Sequence, residues 1–180
     1  MKTDTDALKT QIKRDPIYKK FKEIVELNAV RINVESLTNE VKEVSEIRSR
    51  TSVKYNETPS QLIRAVLQEN LLAQSYRSRL SEICLQATRV ISQVSRACDK
   101  IRDHINLKFA DEIKVFGRTK DDRAIIANTM LRFALNYTGE LETLVLMAES
   151  IISDIDKQHY SLKLTKESLE LLINRENILS

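Results

Sequence analysis

Basic residues with a tyrosine among them are the residues in this sequence whose types and spacing could do chemistry. Arg48, Arg50, Lys54 and Tyr55 lie in the segment 47–56, which contains no acidic residue. Cations that follow phosphates, beside a ring that can stack on a base, suit single-stranded nucleic acid. Cations at the end of a helix also favour the negative end of its dipole, so this placement has a structural explanation as well. We predict a nucleic-acid-binding site at these four residues.

A second cluster of cations precedes the first predicted long helix and continues into it. Lys13, Arg14, Lys19 and Lys20 surround Tyr18. The same chemistry makes this cluster a candidate secondary basic surface. Charged runs on long helices are more often solvated faces that bind nothing, and the sequence leaves both interpretations open.

Residues for catalysis or metal binding do not occur in usable groups. The chain has two histidines and two glycines, and no cluster around either histidine supplies the three or four ligands of a zinc or di-iron site. Two glycines cannot form a Gly-rich phosphate loop. We therefore expect no enzyme activity, no metal and no cofactor, and we interpret His104 as a polar core residue that sets the helix register.

The two cysteines and the overall charge indicate the compartment and the class of partner. Cys84 and Cys98 lie two heptads apart on one predicted helix, roughly 21 Å along its axis, too far to form a disulfide. No secretory signal and no run of ~20 apolar residues is visible, so we expect a cytoplasmic protein, in the host cytoplasm if the source is viral. A net charge of +3 permits an anionic partner without requiring one.

The elements that must position these residues are helices. Apolar positions recur in steps of three and four, which places them on one face of a helix. This central seam consists of Ala73, Tyr76, Leu80, Ile83, Ala87, Val90, Val94, Ala97, Ile101 and His104. A parallel row of Cys84, Ile91, Cys98 and Ile105 widens the apolar face, so at least two neighbouring elements must cover it.

Capping signals predict where the helices begin. After a polar N-terminal arm at 1–15, for which the sequence leaves a short helix or a mobile segment open, Asp15 followed by Pro16 starts a first helix of about 16–54. Its apolar series begins Phe21, Ile24, Leu27, Val30. Thr58 and Pro59 start a second helix of about 59–116.

Gly117 is the expected C-terminal cap of the second helix, and Thr119 starts a third of about 120–175. The apolar pattern of the third helix crosses Gly139 without losing phase. The sequence leaves open whether the helix bends there or near 159–160. These elements predict an all-α fold: an elongated antiparallel three-helix coiled-coil bundle that forms one domain over 16–180 and associates into oligomers.

The segment containing Arg48, Arg50 and Tyr55 resembles the recombination mediators of tailed phages, the UvsY family. The stretches 12–15 and 151–176 are similar to that family as well. The resemblance implies a non-enzymatic oligomer that binds single-stranded DNA and loads a recombinase.

The predicted function is therefore a helical assembly protein that binds single-stranded DNA and a protein partner. The alternative is a structural or scaffold coiled coil, such as a viral assembly component or an adaptor, that does not bind nucleic acid. A third class is a membrane-surface module with cations on one face, against which the modest net charge argues.

Overall fold

A computed structural model describes the backbone of residues 2–50, 58–116 and 120–179, and the side chains of most of them. These residues form α1 (Lys2–Arg14), α2 (Pro16–Arg31), α3 (Val34–Arg50), α4 (Pro59–Lys108), α5 (Ala110–Phe116) and α6 (Lys120–Leu179). The described part of the chain contains no strand. The predicted all-α class is therefore confirmed.

The N-terminal segment is a helix, one of the two forms that its sequence left open. Leu8 and Ile12, four residues apart on α1, are both buried. Residues at this spacing share one helical face, so α1 packs through a short apolar face despite its polar composition. The sequence did not predict this apolar face, because two apolar residues span only one helical turn and do not establish a periodic pattern.

The predicted helix 16–54 is wrong in one respect, because it is interrupted at 32–33. Ile32 adopts an extended conformation, with φ −119° and ψ 92°, and its amide donates to the carbonyl of Asn28 at 2.8 Å. The Ile32 side chain is buried, so the break lets an apolar residue enter the core at the end of α2. The C-terminal part of the prediction, 51–54, lies outside the described residues.

The predicted helix 59–116 is likewise divided, at Phe109. Phe109, the residue between α4 and α5, has a buried side chain, and its amide still donates to the carbonyl of Ile105 at 3.1 Å. The third helix is longer than predicted, since α6 continues to Leu179. It is uninterrupted at Gly139 and at 159–160. The predicted caps at Gly117 and Thr119 lie outside the described residues.

Both predicted helix starts with described caps are confirmed. Asp15 caps α2, its carboxylate accepting from the amides of Ile17 at 2.8 Å and Tyr18 at 3.2 Å. At α4, the Gln61 side chain accepts from the Thr58 amide at 3.1 Å, as in a capping box.

The chain divides into two compact units, each with its own core. Unit 1 comprises Met1–Val34 and Ala87–Thr143, and unit 2 comprises Glu35–Gln86 and Leu144–Ser180. The buried side chains of unit 1 include Phe21, Val25, Val94, Ile105, Leu131 and Leu141. Those of unit 2 include Val41, Val66, Leu80, Ile83, Leu144 and Ile155. The prediction that 16–180 forms a single domain stays a prediction.

Candidate nucleic-acid interface

A groove of about 720 Å³ opens in unit 1 between α1, α2 and α6. The described residues that line it are Lys9, Lys13, Tyr18, Lys19, Lys22, Thr129, Met130, Arg132, Phe133 and Asn136. Five of these side chains are cationic, and none of the described lining residues is acidic. We call this feature the basic groove.

The cations reach the groove because of their spacing on three helices. Lys9 and Lys13 are four residues apart on α1, and Lys19 and Lys22 are three apart on α2. Residues at these spacings lie on the same face of a helix. Arg132 joins them from α6, more than a hundred residues later in the sequence.

The floor of the groove is apolar and held by aromatic contacts. The ring of Phe21 packs against Phe133 at 5.7 Å between centroids in an edge-to-face arrangement, and against Tyr18 at 6.1 Å. Such pairs fix ring positions in addition to burying area. Phe133 is half-buried and lines the groove.

Tyr18 ties α2 to α6 beneath the groove. Its ring is buried, and its hydroxyl donates to the main-chain oxygen of Met130 at 2.8 Å. Burial raises the pKa of the Tyr18 phenol, because the charged form would lose its hydration. The phenol therefore stays protonated at neutral pH and keeps this hydrogen bond.

The cations of the groove differ in how far they are already paired. Lys9 lies 3.4 Å from Asp6, and Lys22 lies 3.3 Å from Glu26, in exposed pairs. Exposed pairs of this kind contribute about 0–1 kcal/mol and exchange readily with other anions. Lys13, Lys19 and Arg132 form no ion pair within the described ranges, so their charges are available to a ligand.

The structure brings together two of the four residues of the predicted secondary basic surface. Lys13 and Lys19 line the basic groove. Arg14 instead lines a shallow depression on α1 beside Asp6, and Lys20 is exposed outside the groove. The prediction grouped all four because they are close in sequence, whereas the faces of α1 and α2 separate them.

The predicted site at the end of α3 has a different environment in unit 2. One guanidinium nitrogen of Arg48, Nη2, donates to the side-chain oxygen of Gln158 on α6. The other, Nη1, is buried and has no hydrogen-bond partner among the described residues. The side chain of Arg50, and all of Lys54 and Tyr55, lie outside what the structure describes, so the site stays a prediction.

Sequence reasoning missed Arg132 and Phe133 as partners of the basic cluster. Arg132 is the one cation between 124 and 156, in an otherwise neutral or acidic stretch. Thr129, Arg132 and Asn136 also recur at spacings of three and four, which marks a polar face beside the apolar seam of α6. That isolated cation was the available signal, but the sequence does not show which helix faces it.

Among the described residues there is no group of three or more histidine, cysteine or acidic side chains that could hold a metal. No described helix has the length and apolarity needed to cross a membrane. Comparisons of the chain with protein-family models, curated proteins and solved structures give no match.

Proposed function

We propose that this chain is a non-enzymatic helical protein that binds single-stranded DNA in the basic groove. The observation that carries the proposal is the combination of five cations, no acidic lining residue among those described, and an apolar floor. Cations that neutralise phosphates release condensed counterions, and that release drives most of the affinity for nucleic acid.

The floor favours a single strand over a duplex. The half-buried ring of Phe133 offers an apolar surface, and Asn136 and Thr129 offer hydrogen-bonding groups beside it. The bases of a single strand can turn towards such a surface, whereas a duplex presents mainly its phosphates to a groove. The cations at the rim suit the phosphates of a single strand, and the aromatic ring at the floor suits its bases.

We infer that the helices form an antiparallel three-helix coiled coil. In unit 2, α4 and α6 are joined by Cys84 to Val145, Arg77 to Asp156 and Asn70 to His159. As the residue number falls along α4 it rises along α6, which supports an antiparallel pair. Arg79 on α4 also binds Glu40 on α3 at 2.6 Å, which supports α3 as the third helix of that unit.

A self-associating assembly protein with a protein partner, as the resemblance to phage recombination mediators implies, is part of the same proposal. Exposed apolar side chains in each unit support interaction surfaces: Leu27 and Val30 on α2 in unit 1 are 69% and 83% exposed, and Leu171 on α6 in unit 2 is 71% exposed. Exposed apolar groups of this size favour association in water. The same side chains favour the alternative, a scaffold coiled coil that binds proteins and no nucleic acid.

The test is fluorescence anisotropy of a labelled ~30-nucleotide single strand at several salt concentrations. We expect binding that weakens steeply with salt. Changing Lys13, Lys19 and Arg132 together to Gln should weaken affinity at least tenfold and flatten the plot of log K against log salt by about 2, since each single-strand phosphate contact contributes about 0.7.

The matched control changes three exposed cations of unit 1 outside the groove, Lys20, Arg96 and Lys100, to Gln. The net charge changes equally in both variants, so a larger loss in the groove variant assigns binding to the groove. Equal losses would refute the groove as the site. No binding at low salt, together with a discrete oligomer in mass photometry, would refute the function and favour the scaffold.

A further inference from the structure

Asp15 is the one residue between the two helices that supply four of the five groove cations. α1 ends at Arg14 with Lys9 and Lys13 on it, and α2 begins at Pro16 with Lys19 and Lys22 on it. The backbone of Asp15 is extended, with φ −59° and ψ 130°, as a following proline favours. Any change in conformation at Asp15 therefore changes the angle between α1 and α2.

The Asp15 side chain is anchored to a third helix. One oxygen, Oδ1, accepts from the Ile17 and Tyr18 amides and lies 3.2 Å from Nε2 of His104. The other, Oδ2, accepts from Lys108. The carboxylate is almost fully buried, whereas Lys108 is half-exposed. A buried carboxylate with several donors is held in place more firmly than a surface pair, because releasing it would leave a charge unpaired.

Two backbone hydrogen bonds join Asp15 to both neighbouring helices. The Asp15 amide donates to Ile12 at the end of α1 at 3.0 Å, and its carbonyl accepts from Lys19 on α2 at 2.9 Å. Lys19 lines the groove, and so does Tyr18, whose amide the carboxylate caps. A change in the position of the carboxylate would therefore shift the groove residues on both α1 and α2.

We propose that Asp15, clamped to α4 by Lys108 and His104, is a positioning residue for DNA binding. It fixes the angle at which α1 and α2 present Lys13 and Lys19 to one phosphate chain. This inference rests on the proposed function, since it concerns how the basic groove is held. Asp15 itself does not contact the ligand.

The substitution Asp15→Asn separates two roles of Asp15. If Asp15 acts only through its charge, the variant binds DNA more tightly, and if it positions the groove cations, the variant binds DNA more weakly. Removing an acid raises the net charge by one, which on charge alone tightens binding to a polyanion. Asparagine is a good N-cap, so α2 keeps its first turn, but the ion pair to Lys108 is lost. We expect the affinity for the ~30-nucleotide strand to fall about fivefold or more, with a smaller salt slope.

The matched control is Asp103→Asn, an exposed acid on α4 with the same change of charge. We expect its affinity to be unchanged or slightly tighter. Hydrogen exchange supplies a second readout on the same proteins: in Asp15→Asn the amides of α1 should exchange faster, while those of α6 do not change. Circular dichroism at the assay temperature confirms that each variant is folded.

A second pair of variants covers the case in which Asp15→Asn unfolds. Lys108→Gln removes the ion pair of the clamp and leaves the cap, and Lys100→Gln removes an exposed cation of the same helix. We expect Lys108→Gln to weaken binding at least threefold more than Lys100→Gln. Equal effects in this pair, or an Asp15→Asn variant that binds as tightly as the wild type, would overturn the inference and leave the proposed function intact. A wild-type protein that does not bind would overturn both.

Discussion

The Tyr137 hydroxyl on α6 donates to the main-chain oxygen of Asn28 at 3.0 Å and lies 3.4 Å from that of Ile32. These two oxygens are at the C-terminal end of α2, where the Asn28 oxygen also accepts from the Ile32 amide at 2.8 Å. The phenol therefore adds a second donor at the end of α2, at the point where the chain turns extended. Burial, with a smaller effect of the Glu140 charge, raises the pKa of Tyr137 and keeps it a donor.

Tyr137→Phe should lower the free energy of unfolding by about 1 kcal/mol, the usual net contribution of a neutral hydrogen bond. The loss is limited because the Asn28 oxygen still accepts from the Ile32 amide. Urea unfolding followed by circular dichroism measures it. Tyr160→Phe removes a hydroxyl from a side chain that is 65% exposed and should change stability by less than about 0.5 kcal/mol. Equal effects of the two substitutions would contradict the capping role of Tyr137.

The long helices and two of their starts were predictable from the sequence. Of the ten residues in the predicted central seam of α4, seven are buried and Tyr76, Ala97 and His104 are half-buried. This agreement arises because steps of three and four keep an apolar face aligned over many turns. Asp15 before Pro16 and Thr58 before Pro59 marked starts because their side chains suit the first turn.

The face of α2 was predicted wrongly. Three consecutive steps of three, from Phe21 to Val30, rotate the pattern away from one face, and Ile24, Leu27 and Val30 are exposed. The buried residues are instead Tyr18, Phe21 and Val25, which follow the true helical period. The break at 32–33 had only a weak signal, since 31–34 contains neither glycine nor proline and Asn33 alone favours a helix end there.

The basic groove was predictable only in part. Lys13 and Lys19 were visible as a cluster because they are close in the sequence. The contribution of Arg132 depends on which face of α6 lies against α1 and α2, and a periodic pattern does not contain that information. The clamp between Asp15 and Lys108 was hidden for the same reason.

Gly139→Ala should stabilise the protein by about 0.5–1 kcal/mol. Gly139 is in the interior of α6, and a Cβ at this position would meet no atom of the described residues within 4 Å, apart from its chain neighbours and the nearby backbone of its own helix. Alanine therefore gains its helix propensity without a steric cost and reduces the entropy of the unfolded chain. A higher urea midpoint with an unchanged m-value is the expected result. A lower midpoint would show that the glycine meets a need of the folded state, such as a close neighbour in an assembly.

Asp15 should make stability depend on pH in the acid range. Burial opposes its ionisation, but the hydrogen bonds from Lys108, Tyr18 and Ile17 and the charge of Lys108 outweigh burial and lower the pKa from 3.8 to about 2. A lowered pKa means that this stabilisation is fully present above pH 3.8 and is lost as the pH falls through about 2. The stability difference between wild type and Asp15→Asn should therefore be constant above about pH 5 and shrink between pH 4 and 2.

Urea unfolding at fixed pH values from 2 to 7 measures that difference. Other acids with lowered pKa values, such as Glu40 beside Arg79, are present in both proteins and cancel in the comparison. Asp103→Asn, which changes an exposed acid on α4, is measured beside it as the charge-matched variant. A difference for Asp15→Asn that persists unchanged to pH 2 would contradict the lowered pKa.

Replacing Arg48 and Arg50 together by Ala should weaken single-strand binding and reduce the salt slope by about 1.4, if each contacts one phosphate. Helicity should stay intact. Because Arg48 donates to Gln158 in unit 2, its substitution also removes an internal hydrogen bond. Gln158→Ala is therefore the control, since it removes the same bond and keeps both charges. An equal loss of affinity in Gln158→Ala would assign the effect to packing in unit 2. Unchanged affinity in the double variant would exclude this site, and the basic groove alone would then account for binding.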